Sequence, residues 1–234
     1  MKGPLTCAGE GPVLVPYGVD RLPTSSGWDS PCLNLRSGEV LRLNCEEFDL
    51  PPPIVGQEDR PLDQQLADHL KRLAGGWDRS STGFIDAYFA FLRSVIVNHH
   101  HEIEARFAGF AGLFQPADTL YSAPLPLPRA LVPLPEDAGA APKWARVDIM
   151  FWLGGQHPCQ TARAVLFSPS RLPPKAERLR RESLAAAGVN ITVLEPGAEA
   201  SPGVFEAILG DRAHTFWRDE TLPTAPGGPR LPDI

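Results

Sequence analysis

The sequence predicts a mixed α/β fold with a central sheet flanked by helices, and three observations lead to this class. Leucine and aromatic side chains recur at helical spacing between residues 62 and 110. Short apolar and β-branched runs follow between residues 144 and 194, with a charged helical stretch among them. Proline is clustered before residue 62, across 116–143, at 169–174 and after 222. The regular segments therefore lie between the proline clusters.

The composition limits the classes of protein to which the chain can belong. Of its 234 residues, 43% are hydrophobic and 21% are charged, enough to build the core of one large domain or two small ones. The 26 prolines and 21 glycines predict long irregular connections. The net charge is −6, from 22 basic and 28 acidic side chains. A basic surplus, which would mark a general binder of nucleic acid or membranes, is therefore lacking.

The sequence predicts a cytoplasmic protein that makes no membrane contact. Its first residues lack the apolar region of a signal peptide, and no stretch reaches the roughly 18 apolar residues of a membrane span. The cysteines are far apart and form no C-x-x-C pair, so we expect reduced thiols rather than a zinc site or a disulfide scaffold. They are Cys7, Cys32, Cys45 and Cys159.

Residues 1–60 form a proline-rich N-terminal segment that contains one predicted β-hairpin. Apolar and polar residues alternate from Leu33 to Leu43 on both sides of Ser37-Gly38, a pattern typical of two paired strands. Pro51-Pro52-Pro53 ends the hairpin, and a short extended linker is expected after it.

Residues 61–221 are predicted to form the α/β core domain, which starts with two helices, and residues 222–234 a proline-rich tail. An amphipathic helix is expected over residues 62–74, because Pro61 suits a first helical turn and leucines follow at 62, 66, 70 and 73. A longer helix is expected from about Phe84 to about Phe110, with Ser80-Ser81-Thr82 as its N-cap.

The sheet is predicted from the second half of the domain. The seven prolines of residues 116–143 allow at best an edge strand followed by a loop. The further expected elements are strands at Trp144–Leu153 and Thr161–Phe167, a helix at Lys175–Ala187, a strand at Val189–Leu194 and a short helix at Gly203–Leu209. The first two strands share a short loop and should pair antiparallel, whereas the strand–helix–strand unit should pair in parallel. The sheet is therefore expected to be mixed.

Asp148 stands out because the predicted strand around it, from Val147 to Trp152, is otherwise apolar. A carboxylate among such neighbours is costly unless it is paired, hydrogen-bonded or bound to a metal. Alternatively, the alternation of a strand could place Asp148 on the solvated face of an edge strand.

The order of a helix, strands, a helix and a strand, with an aspartate on the second core strand, resembles the restriction-endonuclease-like (PD-(D/E)XK) nuclease superfamily. Arg146–Phe151 is similar to the strand that carries the metal-binding aspartate of that superfamily, and Lys175–Leu194 is similar to the basic helix and buried strand that follow in its repair-endonuclease-like branch. The resemblance covers roughly residues 84–195. It implies a restriction-endonuclease-like core, here with an N-terminal β-hairpin extension and Pro-rich loops.

The motif is degenerate. An active member would carry an acid-x-Lys pair on the next strand, but no acid and no lysine occurs between Ile149 and Pro174. In one interpretation the pair has moved to the following helix, where Lys175, Glu177 or Glu182 would substitute for it. Asp148, Lys175 and Glu177 would then catalyse hydrolysis of DNA phosphodiesters with Mg²⁺ or Mn²⁺. In the other the site is lost, and the chain is a catalytically inactive relative that acts as a binding or assembly subunit.

The resemblance also implies further metal ligands on the first core helix. An acid on that helix often approaches the metal in this superfamily, which makes Glu102 and Glu104 candidates beside Asp148. The alternative is that these residues, which follow three histidines, form a solvated helix end.

One basic cluster could contact DNA phosphates, and it consists of Arg171, Lys175, Arg178 and Arg181. The alternative is a solvent-exposed helix face whose charge is balanced by Glu177 and Glu182. A third possibility for the whole chain is an unrelated scaffold whose Pro-rich segments dock on a protein partner.

Overall fold

The computed structural model describes residues 13–14, 32–34, 40–41, 60–73, 79–110, 113–124, 126–128, 131–133, 144–153, 162–170, 172–187, 189–195 and 201–218. The chain divides into two compact units. One, here called the sheet unit, combines Met1–Phe48 with Leu125–Glu199, and the other, the helical unit, combines Asp49–Pro124 with Ala200–Ile234. This division crosses the single domain expected over residues 61–221.

The described elements are, in chain order, β1 (Val13–Leu14), β2 (Cys32–Asn34), β3 (Val40–Leu41), α1 (Leu62–Leu73), α2 (Arg79–Asn98), α3 (His100–Phe107), β4 (Leu127–Pro128), β5 (Leu131–Pro133), β6 (Trp144–Arg146), β7 (Ile149–Trp152), β8 (Ala162–Phe167), α4 (Pro174–Ala186), β9 (Asn190–Leu194), α5 (Pro202–Leu209) and α6 (Arg212–Thr215). Short 3-10 helices cover Ala108–Phe110, Pro116–Ser122 and Phe216–Arg218.

The sheet unit contains a four-stranded mixed sheet in the order β4-β7-β8-β9. β7 pairs antiparallel with both β4 and β8, with Ile149 opposite Val165, and β8 pairs in parallel with β9. Helix α4 lies between β8 and β9 in the sequence, as a parallel crossover requires. The expected mixed pairing is thus confirmed, and the proline-containing strand β4 lies at the sheet edge, which is where proline is tolerated in a sheet.

Two smaller sheets belong to the same unit. Strands β1, β2 and β3 pair antiparallel, with Leu33 opposite Val40, which confirms the expected hairpin pairing. The predicted turn at Ser37-Gly38 lies outside the described residues. Strands β5 and β6 form a separate antiparallel pair, with Leu131 opposite Arg146.

The expectation of one continuous strand over Trp144–Leu153 was wrong. β6 ends at Arg146 and pairs with β5, whereas β7 starts at Ile149 and joins the four-stranded sheet. Val147 and Asp148 form the junction. Residues on both sides of the junction are buried, and the sequence is therefore largely apolar on both sides. For this reason the hydrophobic pattern does not reveal that β6 and β7 belong to different sheets.

The core of the sheet unit is formed by β7, β8 and β9, with α4 packed against β9. Three consecutive residues of β8 are fully buried, which shows that both faces of this strand are covered. Members of this core with at most 5% exposure are Ile149, Met150, Phe151, Ala164, Val165, Leu166, Leu184, Val189 and Leu194.

Helix α1 confirms the amphipathic helix expected over residues 62–74, with Leu66 and Leu70 fully buried. Helix α2 begins at Arg79 rather than near Phe84. The predicted N-cap at Ser80-Ser81-Thr82 was therefore wrong, because these residues lie inside the helix and Ser81 is buried.

The long helix expected to reach Phe110 is interrupted at His99. This residue has φ −108° and ψ 17°, and it separates α2 from α3. His99 N–H donates to the Val95 oxygen, and Ile103 N–H donates to the His99 oxygen, so backbone hydrogen bonds of the helical i-to-i−4 kind are present on both sides of the break. His99 therefore lies between the two helices.

Aromatic side chains form the centre of the helical unit. The ring of Phe205, on α5, lies 5.2 Å from that of Phe84, 5.7 Å from that of Tyr88 and 5.3 Å from that of Phe91, measured between centroids. The Tyr88 hydroxyl donates a 2.5 Å hydrogen bond to the Pro124 oxygen. Burial raises the pKa of Tyr88 above its ordinary value. Among the described helices, none is long and apolar enough to cross a membrane.

Candidate functional site

Asp148 lies at the junction between β6 and β7, and its side chain is hydrogen-bonded. Oδ2 accepts a 2.9 Å hydrogen bond from the backbone N–H of Phe167, the last residue of β8. The backbone N–H of Asp148 itself donates to the Val165 oxygen at 3.2 Å. Because β7 starts only at Ile149, the carboxylate supplies an acceptor that the strand ladder no longer offers. The half-buried carboxylate therefore helps to join the start of β7 to the end of β8.

Glu177, in the first turn of α4, is one of the few buried carboxylates and is surrounded by cations. Its residue exposure is 8%. Arg180 Nη2 lies 2.7 Å from Oε2, and Arg181 Nε donates to Oε1 at 2.8 Å. Burial raises the pKa of Glu177, but its interactions with Arg180, Arg181 and Ser170 outweigh this effect and lower the pKa from 4.5 to about 2. Glu177 is thus a charged carboxylate held by two guanidinium groups.

The Glu177–Arg180 pair connects α4 with the end of β6. The side chain of Arg180 is only 11% exposed, and its Nη1 donates to the backbone oxygen of Arg146 at 3.3 Å. Within the described residues, neither Glu177 Oε2 nor Arg180 Nε has a partner in hydrogen-bond alignment, so the 2.7 Å contact is an ion pair. Arg180 is therefore directed into the fold and not toward a ligand in solution.

The predicted basic cluster is mostly neutralised by its own helix. Arg181 pairs with Glu177, and the highly exposed Arg178 lies 3.6 Å from Glu182. Lys175 is exposed and forms no ion pair with any described residue. Arg171 lies outside the described residues. These contacts resemble the balanced solvent face of the sequence-based alternative, while DNA binding stays a prediction.

Glu102 and Glu104 lie on α3 in the helical unit, whereas Asp148, Lys175 and Glu177 lie in the sheet unit. Glu102 contacts His99 Nδ1 at 3.1 Å and Arg218 Nη2 at 3.0 Å, and these hydrogen bonds, His99 first, lower the pKa of its carboxyl. Glu104 lies near the imidazoles of two neighbours on its own helix, His100 and His101.

The structure adds a cluster that sequence reasoning missed, at the end of the helical unit where α6 meets the α2–α3 junction. The rings of His99 and His214 have centroids 6.5 Å apart, and Glu206 contacts His214 Nε2 at 3.2 Å. Trp217 lies 5.4 Å from His99, and the Arg218 guanidinium lies 4.7 Å from the Trp217 ring centroid. The sign of this cluster in the sequence is that each histidine has an acidic residue within the same segment, Glu102 after His99 and Glu206 before His214.

A cavity of about 360 Å³ lies between α1 and α2. Its charged lining groups are paired with one another: Lys71 lies 2.8 Å from Asp68 and 2.5 Å from Asp86, and Arg93 lies 3.3 Å from the buried Asp63. With its charges balanced in this way, the cavity indicates no class of ligand.

Comparison of the chain with protein-family models, with curated proteins and with solved structures found no match. Across the described residues, no three or more His, Cys, Asp or Glu side chains are grouped so that together they could hold a metal ion. The Mg²⁺ or Mn²⁺ site involving Asp148, Glu102 and Glu104 stays a prediction.

Proposed function

We propose that the protein is a non-catalytic relative of the restriction-endonuclease-like proteins and acts as a binding or assembly subunit. The proposal rests on the contacts made by the carboxylates of the two leading site residues, Asp148 and Glu177. The Asp148 carboxylate accepts a backbone hydrogen bond within the sheet, and the Glu177 carboxylate is held between two arginines.

The topology of the sheet unit supports the relationship itself. Strands β4, β7 and β8 form an antiparallel series, and α4 leads to the parallel strand β9. Asp148 lies directly before β7, close to the position that the resemblance implied. The order of elements is therefore compatible with the nuclease-like core, which the proposal takes as the scaffold.

Around Asp148 and Glu177, the described residues do not fit a site for Mg²⁺ or Mn²⁺. Mg²⁺ requires several oxygen ligands in near-octahedral geometry. The β8 strand, which would carry the acid-x-Lys pair in an active member, contributes Arg163, Ala164 and Val165 instead. A metal at Glu177 would have to displace two guanidinium groups from a carboxylate whose pKa is already lowered to about 2.

The exposed face of α4 is the surface that would serve binding. Leu179, on the helix, and Leu172, just before it, are 49% and 41% exposed, and Lys175 lies between them in the sequence without an ion pair among the described residues. A surface with exposed leucines and a lysine with no described ion pair favours a polypeptide partner that carries apolar and acidic side chains. A nucleic acid is less favoured as the partner, because its phosphates would need several unpaired cations.

Two experiments test this proposal. The first measures Mg²⁺-dependent cleavage of supercoiled plasmid by the wild type and by Asp148→Asn; we expect no cleavage that depends on Asp148. Cleavage lost in a folded Asp148→Asn variant would refute the proposal. The second identifies cross-linked partners of the full chain, and Leu179→Ser with Lys175→Ser should abolish a specific cross-link.

Val97→Ser is the matched control for the cross-linking experiment, since Val97 is 65% exposed but belongs to the helical unit. It should leave the cross-link intact. A partner that is lost equally in both variants, or in neither, would contradict an α4 docking surface.

A further inference from the structure

Two histidines from distant parts of the chain lie next to each other in the helical unit. His99 occupies the break between α2 and α3, and His214 lies on α6, with 6.5 Å between the ring centroids. Each ring has a carboxylate at one nitrogen. Glu102 Oε1 lies 3.1 Å from His99 Nδ1, and Glu206 Oε1 lies 3.2 Å from His214 Nε2.

This arrangement determines which nitrogen of each imidazole is available. A neutral imidazole that donates its N–H to a carboxylate carries a lone pair on its other nitrogen. The available atoms are therefore Nε2 of His99 and Nδ1 of His214, neither of which has a hydrogen-bond partner among the described residues. Histidines that bind metals almost always donate their other N–H to a carboxylate, a backbone oxygen or water, which orients the ring.

We propose that His99 and His214 form a two-histidine site for a divalent transition metal ion of the zinc class, with water completing the coordination. Two imidazoles bound to one zinc ion at the usual Zn–N distance of about 2.0–2.1 Å, with tetrahedral coordination, have ring centroids roughly 5 Å apart. The observed 6.5 Å is longer, so the two partly exposed side chains would have to rotate toward each other to form the site.

The surroundings favour such an ion and give it access. The rings of Trp217, 5.4 Å from His99, and Phe91, 6.1 Å from His214, provide apolar walls. The side chains of His99 and His214 are 26% and 50% exposed, which leaves a route from solvent. The positive charge of Arg218 is offset by its 3.0 Å contact with Glu102.

This site differs from the hard-cation site predicted from the sequence. There, Glu102 and Glu104 would be ligands with Asp148, whereas here Glu102 and Glu206 position the imidazoles. Imidazole ligands suit Zn²⁺, Ni²⁺ and Cu²⁺ rather than Mg²⁺. The inference is also independent of the proposed binding function, because all its residues lie in the helical unit.

The test is calorimetric titration of the full chain, first freed of metals with a chelator, with ZnCl₂. We expect one equivalent of zinc to bind the wild type, and at least tenfold weaker binding in His99→Ala and in His214→Ala. Glu206→Gln should weaken binding about 10- to 100-fold by releasing the His214 ring. The control His101→Ala removes a fully exposed imidazole that contacts neither ring of the pair, and should bind zinc as the wild type does.

Thermal unfolding with and without ZnCl₂ provides a second measurement. Zinc should raise the Tm of the wild type and of His101→Ala, but not that of His99→Ala or His214→Ala, while all four proteins should unfold cooperatively without zinc. The proposal is overturned if the wild type binds no zinc. It is also overturned if both alanine variants keep wild-type affinity, as a site made of cysteines or of other histidines would require.

Discussion

Glu177 on α4 offers the most direct test of how the sheet unit is held together. Replacing it by glutamine keeps the size of the side chain but removes the charge that two arginines share. Because one pKa unit equals about 1.4 kcal/mol, the lowering of the pKa from 4.5 to about 2 corresponds to at most roughly 3–4 kcal/mol of folding free energy. Since the Arg181 side chain is 41% exposed and its interaction is screened by water, we expect a loss of about 2 kcal/mol.

The dependence on pH has a definite sign. The pKa of Glu177 is lower in the folded than in the unfolded protein, so its stabilisation is complete above about pH 4.5 and is lost as the pH falls toward about 2. The stability difference between wild type and Glu177→Gln should therefore be largest at neutral pH and shrink through that acidic range. Urea unfolding followed by far-ultraviolet circular dichroism at several pH values measures it.

Glu182→Gln is the matched control, because Glu182 lies on the same helix and also contacts an arginine. Its side chain is 62% exposed and Arg178 is 3.6 Å away, so we expect a loss below about 0.5 kcal/mol. Equal stabilities of the two variants at neutral pH, or a Glu177→Gln deficit that does not change with pH, would refute the argument that the buried ion pair stabilises the sheet unit.

Two further substitutions test the described packing. Asp148→Ala should lower the free energy of unfolding by about 1–3 kcal/mol because the N–H of Phe167 loses its acceptor. Asp148→Asn keeps an oxygen acceptor and should lower it less. Urea unfolding and amide exchange at Phe167 measure the difference, and equal losses of stability in the two variants would argue against the hydrogen bond. Phe205→Ala should cost about 3–5 kcal/mol in thermal unfolding, because it leaves a cavity against the rings of Phe84, Tyr88 and Phe91; a loss near zero would contradict the aromatic core.

Local patterns predicted the regular elements well where one face of each element is buried. The leucine spacing of residues 62–74 indicated α1 because Leu66 and Leu70 recur at the helical period. The charged stretch before Val189 indicated α4, and the strand–helix–strand order indicated the parallel pairing of β8 with β9. These predictions needed only neighbours within a few residues of one another.

The candidate site was less accessible to such reasoning. Asp148 was recognised as unusual, but its acceptor role depends on Phe167, and the sequence shows no link between the two. Glu177 was expected as a possible ligand, and its burial against Arg180 follows from the packing of α4 on the strand that contains Arg146. Whether a carboxylate is free or neutralised is decided by partners that one strand or helix alone does not contain.

The amino-acid order alone therefore specified the periods of the helices and strands and the mixed character of the sheet, since backbone preferences and the burial of one face act over a few residues. Only the tertiary structure decided where the run from Trp144 to Leu153 divides between two sheets, and that His99 meets His214. The physical reason is the same in both cases. The sheet that a strand joins, and the side chain that another side chain contacts, depend on segments that are distant in the sequence. The spacing of hydrophobic residues within one segment does not identify those partners.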